Sequence, residues 1–302
     1  MKKLLVTGSF PLKDDQYTAL RQLGYEVSFH PDERKKVEAP EQYEAVICNG
    51  LFLHNPLEGF SALKLIQLTS AGLDRVPLDQ IQERGIRLYC ARGVYSVPMA
   101  EYALCGVLQL IKQMPFFIKN QMGHCWQKNR GLKELFSSKV CILGCGSVGT
   151  ECAKRFRAFG CSVIGVDLYP YESEHYDRIC PLGELDSCLS MSDVVILTLP
   201  LTEQTYHLID ATAFSTMKEG AILVNIARGT IVDTEALLDA LEHRLGGAVL
   251  DVFEEEPLEQ GSPLWERENV ILTPHNSFVS NRNHERLWEL ICRNLQETAK
   301  EH

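Results

Sequence analysis

Val140-Cys141-Ile142-Leu143-Gly144-Cys145-Gly146-Ser147-Val148-Gly149 is the stretch that decides how this chain folds. Four apolar residues read as a strand buried on both faces, and G-x-G-x-x-G follows without a spacer. Thr150 to Phe156 continues as a helix, and the apolar strand Cys161-Ser162-Val163-Ile164-Gly165-Val166 leads to Asp167. Each glycine has its own task. Gly144 allows the tight turn, Gly146 lets a pyrophosphate approach the backbone, and Gly149 lets helix and strand pack closely. The helix start adds unpaired N–H groups and a partial positive charge for the phosphates. Asp167, 18 residues beyond Gly149, stands where a carboxylate accepts hydrogen bonds from an adenosine ribose. The bare hexapeptide would suit an ordinary turn equally well. Strand, glycines, helix, strand and acid in this order make it a dinucleotide site. The same carboxylate repels a 2′-phosphate, and Leu168-Tyr169-Pro170-Tyr171 offers no arginine to hold one. NAD is therefore expected rather than NADP.

The 302 residues suit two domains of ordinary size with substantial cores. A hydrophobic content of 45% with 23% charged residues is that of a globular protein. The net charge of −10 argues against nucleic acid or an anionic membrane as partner. Leu4-Leu5-Val6 is too short for a signal peptide, and no run is long enough to span a bilayer, so a cytoplasmic location is expected. The eleven cysteines are odd in number and scattered, with no C-x-x-C pair. Reduced thiols are expected, with neither a disulfide framework nor a metal site. Cys145, inside the glycine loop, is left open as an oxidation-sensitive position.

Upstream of the glycine loop, apolar strands alternate with helices. Strands are read at Lys3–Val6, Glu26–Phe29, within Gln42–Asn49 around Ala45–Cys48, at Leu63–Thr69 and at Arg87–Cys90, with a helix at Asp14–Leu23. This alternation predicts a parallel sheet covered on both faces, with ligands at the carboxyl ends of its strands. Ser70-Ala71-Gly72 lies at one such end. Its small side chains leave backbone N–H groups for an anion, or make a plain strand-to-helix turn. Ser96 is expected to cap the next helix, with Pro98 in its first turn. From Met99 to Met114 that helix is apolar almost all round, which predicts burial between domains or subunits. Glu101 is its odd polar member and calls for a structural partner. Gln121 to Ser138 reads as irregular, with Trp126 as a packing anchor.

Downstream, further strands are read near Ile179, at Val194–Leu197, at Ala221–Asn225, at Gly247–Leu250 and at Val270–Thr273. Helices are read at Leu182–Ser190, at Thr234–Glu242 with Asp233 as cap, and at Asn283–Lys300. Most of these strands deliver a polar residue at their carboxyl ends. Asp167, Arg228, Asp251 and His275 fall on that rim, with Glu256 five residues past Asp251. A guanidinium between Ala227 and Gly229 suits a substrate carboxylate. His275, just after a strand and a proline, suits acid–base work or a satisfied structural role. Glu256 heads a proline after Glu254-Glu255 and is either solvated or the partner that favours the imidazolium of His275. Asp251 could cap a loop or bind a nicotinamide carboxamide.

These stretches resemble the D-2-hydroxyacid dehydrogenase family, which includes D-3-phosphoglycerate dehydrogenase, glyoxylate/hydroxypyruvate reductase and D-lactate dehydrogenase. The likeness spans essentially the whole chain. It is carried by the glycine loop, Leu199-Pro200-Leu201-Thr202-Glu203-Gln204-Thr205, Asn225-Ile226-Ala227-Arg228-Gly229, Asp251-Val252-Phe253-Glu254-Glu255-Glu256-Pro257 and Thr273-Pro274-His275. It implies an α/β fold of two doubly wound parallel-sheet domains with the active site between them. A Rossmann NAD-binding domain (95–278) would be inserted into a flavodoxin-like substrate domain (1–94 and 279–302). It implies His275 as proton donor, Glu256 as its partner and Arg228 as substrate anchor, with Ser70, Ala71 and Gly72 assisting at the substrate carboxylate. NAD would be lined by Gly144, Gly146, Ser147, Val148, Gly149, Asp167, Leu199, Pro200, Thr205, Ile226, Ala227, Arg228, Asp251 and His275. A homodimer through the helix starting near Pro98 is also implied. Departures are Asn276-Ser277-Phe278, where an apolar residue and small ones are usual, and Cys90 and Tyr95 around Gly93, where asparagines are common. No C-terminal regulatory domain is expected, the sequence stopping at His302. The expected activity is hydride transfer between NADH and the C2 carbonyl of a small 2-keto acid. The alternative is an NAD-sensing, corepressor-like interaction protein on the same fold; a formate-dehydrogenase-like activity is disfavoured because Glu256 gives His275 a partner suited to proton transfer.

Overall fold

The computed structural model describes residues 1–300, and its contacts divide the chain into two units. Met1–Tyr95 with the segment from Ser280 onward forms one, and Ser96–Val279 forms the other.

The first unit contains β1 (Lys2–Thr7), α1 (Asp14–Gln22), β2 (Tyr25–His30), β3 (Ala45–Cys48), β4 (Leu65–Leu68), α2 (Leu78–Glu83) and β5 (Arg87–Tyr89). Its strands run parallel in the order β2-β1-β3-β4-β5. β3 and β4 are buried along their whole length, as near-continuous apolar runs should be in a sheet covered on both faces. The strand order reverses between β1 and β3, the place where open α/β sheets leave a crevice. Here the chain fills it with its own carboxylate. Glu33 accepts from Thr7 Oγ1 at 2.5 Å, Asn49 N at 2.7 Å and Gly50 N at 2.6 Å.

The second unit opens with α3 (Ser96–Ile111) and α4 (Met114–Met122). β6 (Lys139–Leu143), α5 (Ser147–Ala158), β7 (Ser162–Asp167) and β8 (Arg178–Pro181) follow, then α6 (Leu185–Met191) and β9 (Val194–Leu197). α7 (Ala211–Thr216), β10 (Ile222–Asn225), α8 (Thr234–His243), β11 (Gly247–Leu250) and β12 (Val270–Leu272) complete it. Seven parallel strands lie in the order β12-β11-β10-β9-β6-β7-β8. The chain winds outward from β6 to β8, then crosses back to β9, so β6 and β9 flank the switch point. α9 (Asn283–Lys300) returns to the first unit, placing Leu287, Ile291 and Leu295 in its core.

The anticipated strands are present to within a residue or two, and both sheets are parallel as expected. Asp233 caps α8 by accepting from Ala236 N at 3.0 Å. α7 was not anticipated; its cap is Asp210, which accepts from Ala213 N at 2.9 Å.

Two expectations need correction. Ser96 is no cap: it starts α3 itself, and its hydroxyl is buried without a hydrogen-bond partner. α3 buries one face within its own unit. Ala100, Ala103, Gly106, Val107 and Leu110 face the core, while Glu101, Leu104, Cys105 and Leu108 line an open groove of about 440 Å³. Glu101 does have a partner, Arg155 Nη2 at 3.4 Å. Trp126 is 96% exposed and is no packing anchor among the described residues. Apolar residues that serve no internal packing look the same in sequence as those that do.

Candidate active site

The dinucleotide loop forms where β6 ends. Gly144 has φ +92°, and a Cβ there would lie 2.6 Å from Leu199 N, the first turn beyond β9. Only glycine lets the two switch-point strands come this close. At Gly149 a Cβ would meet the Gly144 carbonyl oxygen at 2.1 Å, so helix-on-strand packing excludes any side chain. Gly146 is exposed and starts α5 with no side-chain cap, leaving first-turn N–H groups open to a pyrophosphate. Ser147 and Val148 are half-buried beside it. Asp167, at the end of β7, holds the loop: its Oδ2 accepts from Cys145 N at 2.7 Å and its Oδ1 from Tyr169 N at 3.0 Å. The glycine cradle, the open helix terminus and the carboxylate fit a dinucleotide.

Cys145 sits under this loop with its thiol buried, and burial pushes the thiol up to about 12. The neutral thiol is a poor nucleophile.

The Leu199–Thr205 segment is shaped by its own hydroxyls. Thr205 Oγ1 donates to Pro200 O at 2.8 Å and accepts from Thr202 N at 2.7 Å, so this buried side chain clamps the turn. Leu199 closes the loop from the β9 side, while Pro200 is exposed. After β10, Asn225 makes a second clamp. Its Oδ1 accepts from Ala227 N at 3.1 Å and its Nδ2 donates to Arg228 O at 2.9 Å. Ile226 and Ala227 are buried, and half-buried Arg228 starts the next turn. A Cβ on Gly229 would lie 1.9 Å from the Phe253 carbonyl carbon. The Arg228 turn is therefore laid directly on the loop that carries Glu256.

That loop and the one after β12 meet. His275 Nδ1 is 2.9 Å from Glu256 Oε2, while Glu256 Oε1 accepts from Phe253 N at 3.1 Å. The His275 backbone adopts φ +49°, a left-handed conformation that histidine tolerates better than most residues. Asp251 is fully buried, and both carboxylate oxygens are spent on the Thr273–Ser277 turn.

Glu254 stands apart from Glu256. It accepts from Thr234 N at 2.8 Å, at the start of α8, and from His207 Nε2 at 3.2 Å. Burial raises this carboxyl, but the hydrogen bonds from Thr234 and His207 outweigh it and hold it below the usual glutamate value. In the first unit, Ser70 Oγ donates to Gly72 O at 3.1 Å, Ala71 is exposed, and Tyr95 OH donates to Thr69 O. The tyrosine found where asparagines are common thus supports the Ser70 loop.

Sequence reasoning missed Thr198, Asn225, Tyr171 and Thr273. Thr198 Oγ1 donates to Gly144 O at 2.6 Å, and Tyr171 OH to Cys145 O at 2.6 Å. Thr198 is the polar residue at the carboxyl end of β9, so the rule that picked Asp167 and Arg228 would also have found it. Tyr171 carries no comparable signal.

Fold and rim together define an α/β protein with a dinucleotide-type glycine loop, and the same unit carries a histidine–carboxylate pair and an arginine. The family profile described as "D-isomer specific 2-hydroxyacid dehydrogenase, NAD binding domain" matches residues 104–277. A glyoxylate reductase of Thermofilum pendens is 34% identical over 240 residues, 77% of this chain and 71% of that one. An (S)-sulfolactate dehydrogenase of Chromohalobacter salexigens is 35% identical, covering 80% and 79%. The crystal structure of Aquifex aeolicus D-lactate dehydrogenase with NAD and lactic acid superposes with a TM-score of 0.80 at 27% identity, covering 99% and 97%. This chain belongs to the D-isomer specific 2-hydroxyacid dehydrogenase family, and its cofactor is NAD. Among the described residues no helix is long and apolar enough to cross a membrane.

Proposed function

We propose that this chain transfers a hydride between NADH and the C2 carbonyl of a small 2-keto acid, giving a D-2-hydroxy acid. The observation that carries the reading is the 2.9 Å contact of His275 Nδ1 with Glu256 Oε2, on the rim that bears the dinucleotide loop. Bound NADH supplies the hydride. A carboxylate only accepts, so Nδ1 carries the hydrogen that it donates to Glu256. Nε2 is then the atom that gives a proton to the substrate oxygen on reduction and takes it back on oxidation. Glu256, fixed by Phe253 N, keeps the ring in this tautomer and favours the imidazolium. Arg228 offers a planar pair of N–H donors to the substrate carboxylate.

The relatives named above differ in substrate at near-equal identity. The decisive experiment is therefore NADH oxidation across glyoxylate, pyruvate, hydroxypyruvate, phosphohydroxypyruvate, sulfopyruvate and branched 2-keto acids. Turnover of at least one, lost in His275→Ala, is the expected result; no turnover of any would refute the reading. The corepressor-like alternative gains no support from relatives named for reductase and dehydrogenase activities. The groove on α3 supports a homodimer through that helix, and a monomer at micromolar concentration by light scattering would refute it.

A further inference from the structure

The buried carboxylate of Asp251 is bound by donors whose direction can be worked out. Oδ1 accepts from Thr273 Oγ1 at 2.6 Å and from Asn276 N at 2.7 Å, and Oδ2 accepts from Ser277 N at 2.9 Å. Thr273 has one hydroxyl hydrogen, and it is committed to the carboxylate. Tyr102 OH also contacts Thr273 Oγ1, so the phenol must be the donor in that pair. The hydrogen bonds therefore run one way, from Tyr102 on α3 through Thr273 to Asp251.

This chain ends on the turn that presents His275. The main-chain oxygen of Asp251 accepts from His275 N at 2.8 Å, while its side chain holds the next two amides. Between these anchors His275 sits at φ +49°. A side-chain-bearing residue persists in that region only where its surroundings over-determine it. Burial also raises the Tyr102 hydroxyl above its ordinary value, which keeps its hydrogen available for donation.

We infer that Tyr102 and Thr273 are positioning residues, acting through Asp251 to hold His275 in the left-handed turn that presents its imidazole to Glu256. The inference rests on the reading of His275 as the proton-transferring group. Neither side chain touches His275 itself. Their effect passes through the buried carboxylate and the two backbone amides that follow His275.

Thr273→Val keeps the shape and removes the hydroxyl, leaving a buried carboxylate short of one donor. Thr273→Ser keeps the hydroxyl and removes the methyl. Losing a hydrogen bond to a buried charge typically changes an equilibrium by ~10-fold or more. Thr273→Val should therefore lower kcat about 10-fold with NADH and the fastest keto acid of the panel, while NADH affinity by fluorescence stays within about 3-fold. Thr273→Ser should restore kcat to near the unmodified value. Tyr102→Phe leaves the Thr273–Asp251 bond in place and should cost less. Hydrogen exchange supplies a readout independent of turnover: the Asn276 and Ser277 amides should exchange ~10-fold faster in Thr273→Val and not in Thr273→Ser.

The inference is overturned if Thr273→Val matches the unmodified protein in kcat and in exchange at both amides. It is also overturned if Thr273→Ser is as impaired as Thr273→Val, because the methyl would then be what matters. Normal turnover by His275→Ala would instead refute the proton-transfer reading, with the exchange measurement still judging the hydrogen-bond chain.

Discussion

Replacing Asp167 with serine should erode the preference for NADH over NADPH, and the size of the effect follows from the carboxylate's position. Both oxygens are already engaged, Oδ2 by Cys145 N at 2.7 Å and Oδ1 by Tyr169 N at 3.0 Å, so the carboxylate is fixed beside the glycine loop. A 2′-phosphate carries close to two negative charges. Set about 5 Å from Asp167 in a medium of effective dielectric about 40–80, it meets a repulsion of about 1.7–3.3 kcal/mol. That corresponds to a preference of roughly 20- to 250-fold in kcat/KM. Serine removes the repulsion but supplies a single acceptor, so one of the two amides loses its partner. At about 1 kcal/mol for such a bond, NADH should bind roughly 5-fold more weakly in Asp167→Ser. The lost amide bond weakens both cofactors alike and cancels in their ratio, so removal of the repulsion by itself should bring them to within about 10-fold of each other. Initial rates against NADH and NADPH at one fixed keto acid measure this directly. Equal kcat/KM for both cofactors in the unmodified protein would refute the reasoning, as would an unchanged ratio in Asp167→Ser.

His275→Ala should lose ~10² to 10⁴-fold in kcat while still binding NADH, measured by fluorescence. Glu256→Gln should lower kcat by only about 5-fold, because the pair is half exposed and its interaction is weakened by water; Glu255→Gln should leave kcat unchanged, and equal effects of the two would refute the pairing. Gly106→Ala places a Cβ 2.6 Å from Val249 Cγ1, and overpacking of about 1–3 kcal/mol should lower Tm by several degrees in a thermal melt. The Glu254 carboxyl is held below its ordinary value of 4.5, so its stabilisation is present above that pH and lost as pH falls through the lowered value. Glu254→Gln should therefore be less stable than the unmodified protein near neutrality, and the gap should close in acid; a gap independent of pH by denaturant titration would refute the assignment.

Much of the fold was legible because its signals are local. Apolar runs of four residues such as Ala45–Cys48 and Val194–Leu197 state their own burial, and Asp233 states the start of α8. α3 marks where local signals stop: its outer residues Leu104 and Leu108 are as apolar as those it buries. Ser96 shows the same limit, since a serine before an apolar run signals a cap whether or not its hydroxyl finds an amide.

The sequence by itself determined the dinucleotide loop. Gly144, Gly146, Gly149 and Asp167 lie within one strand–helix–strand unit, where backbone sterics and short-range packing leave few alternatives. Only the tertiary structure decided which of the acids after β11 does what. Glu254 turns to His207 and Thr234, Glu256 turns to His275, and Asp251 disappears beneath the turn after β12. Composition cannot separate these three carboxylates. Their partners lie up to 47 residues away in sequence, and strand order, register and turn geometry bring each pair within hydrogen-bond reach.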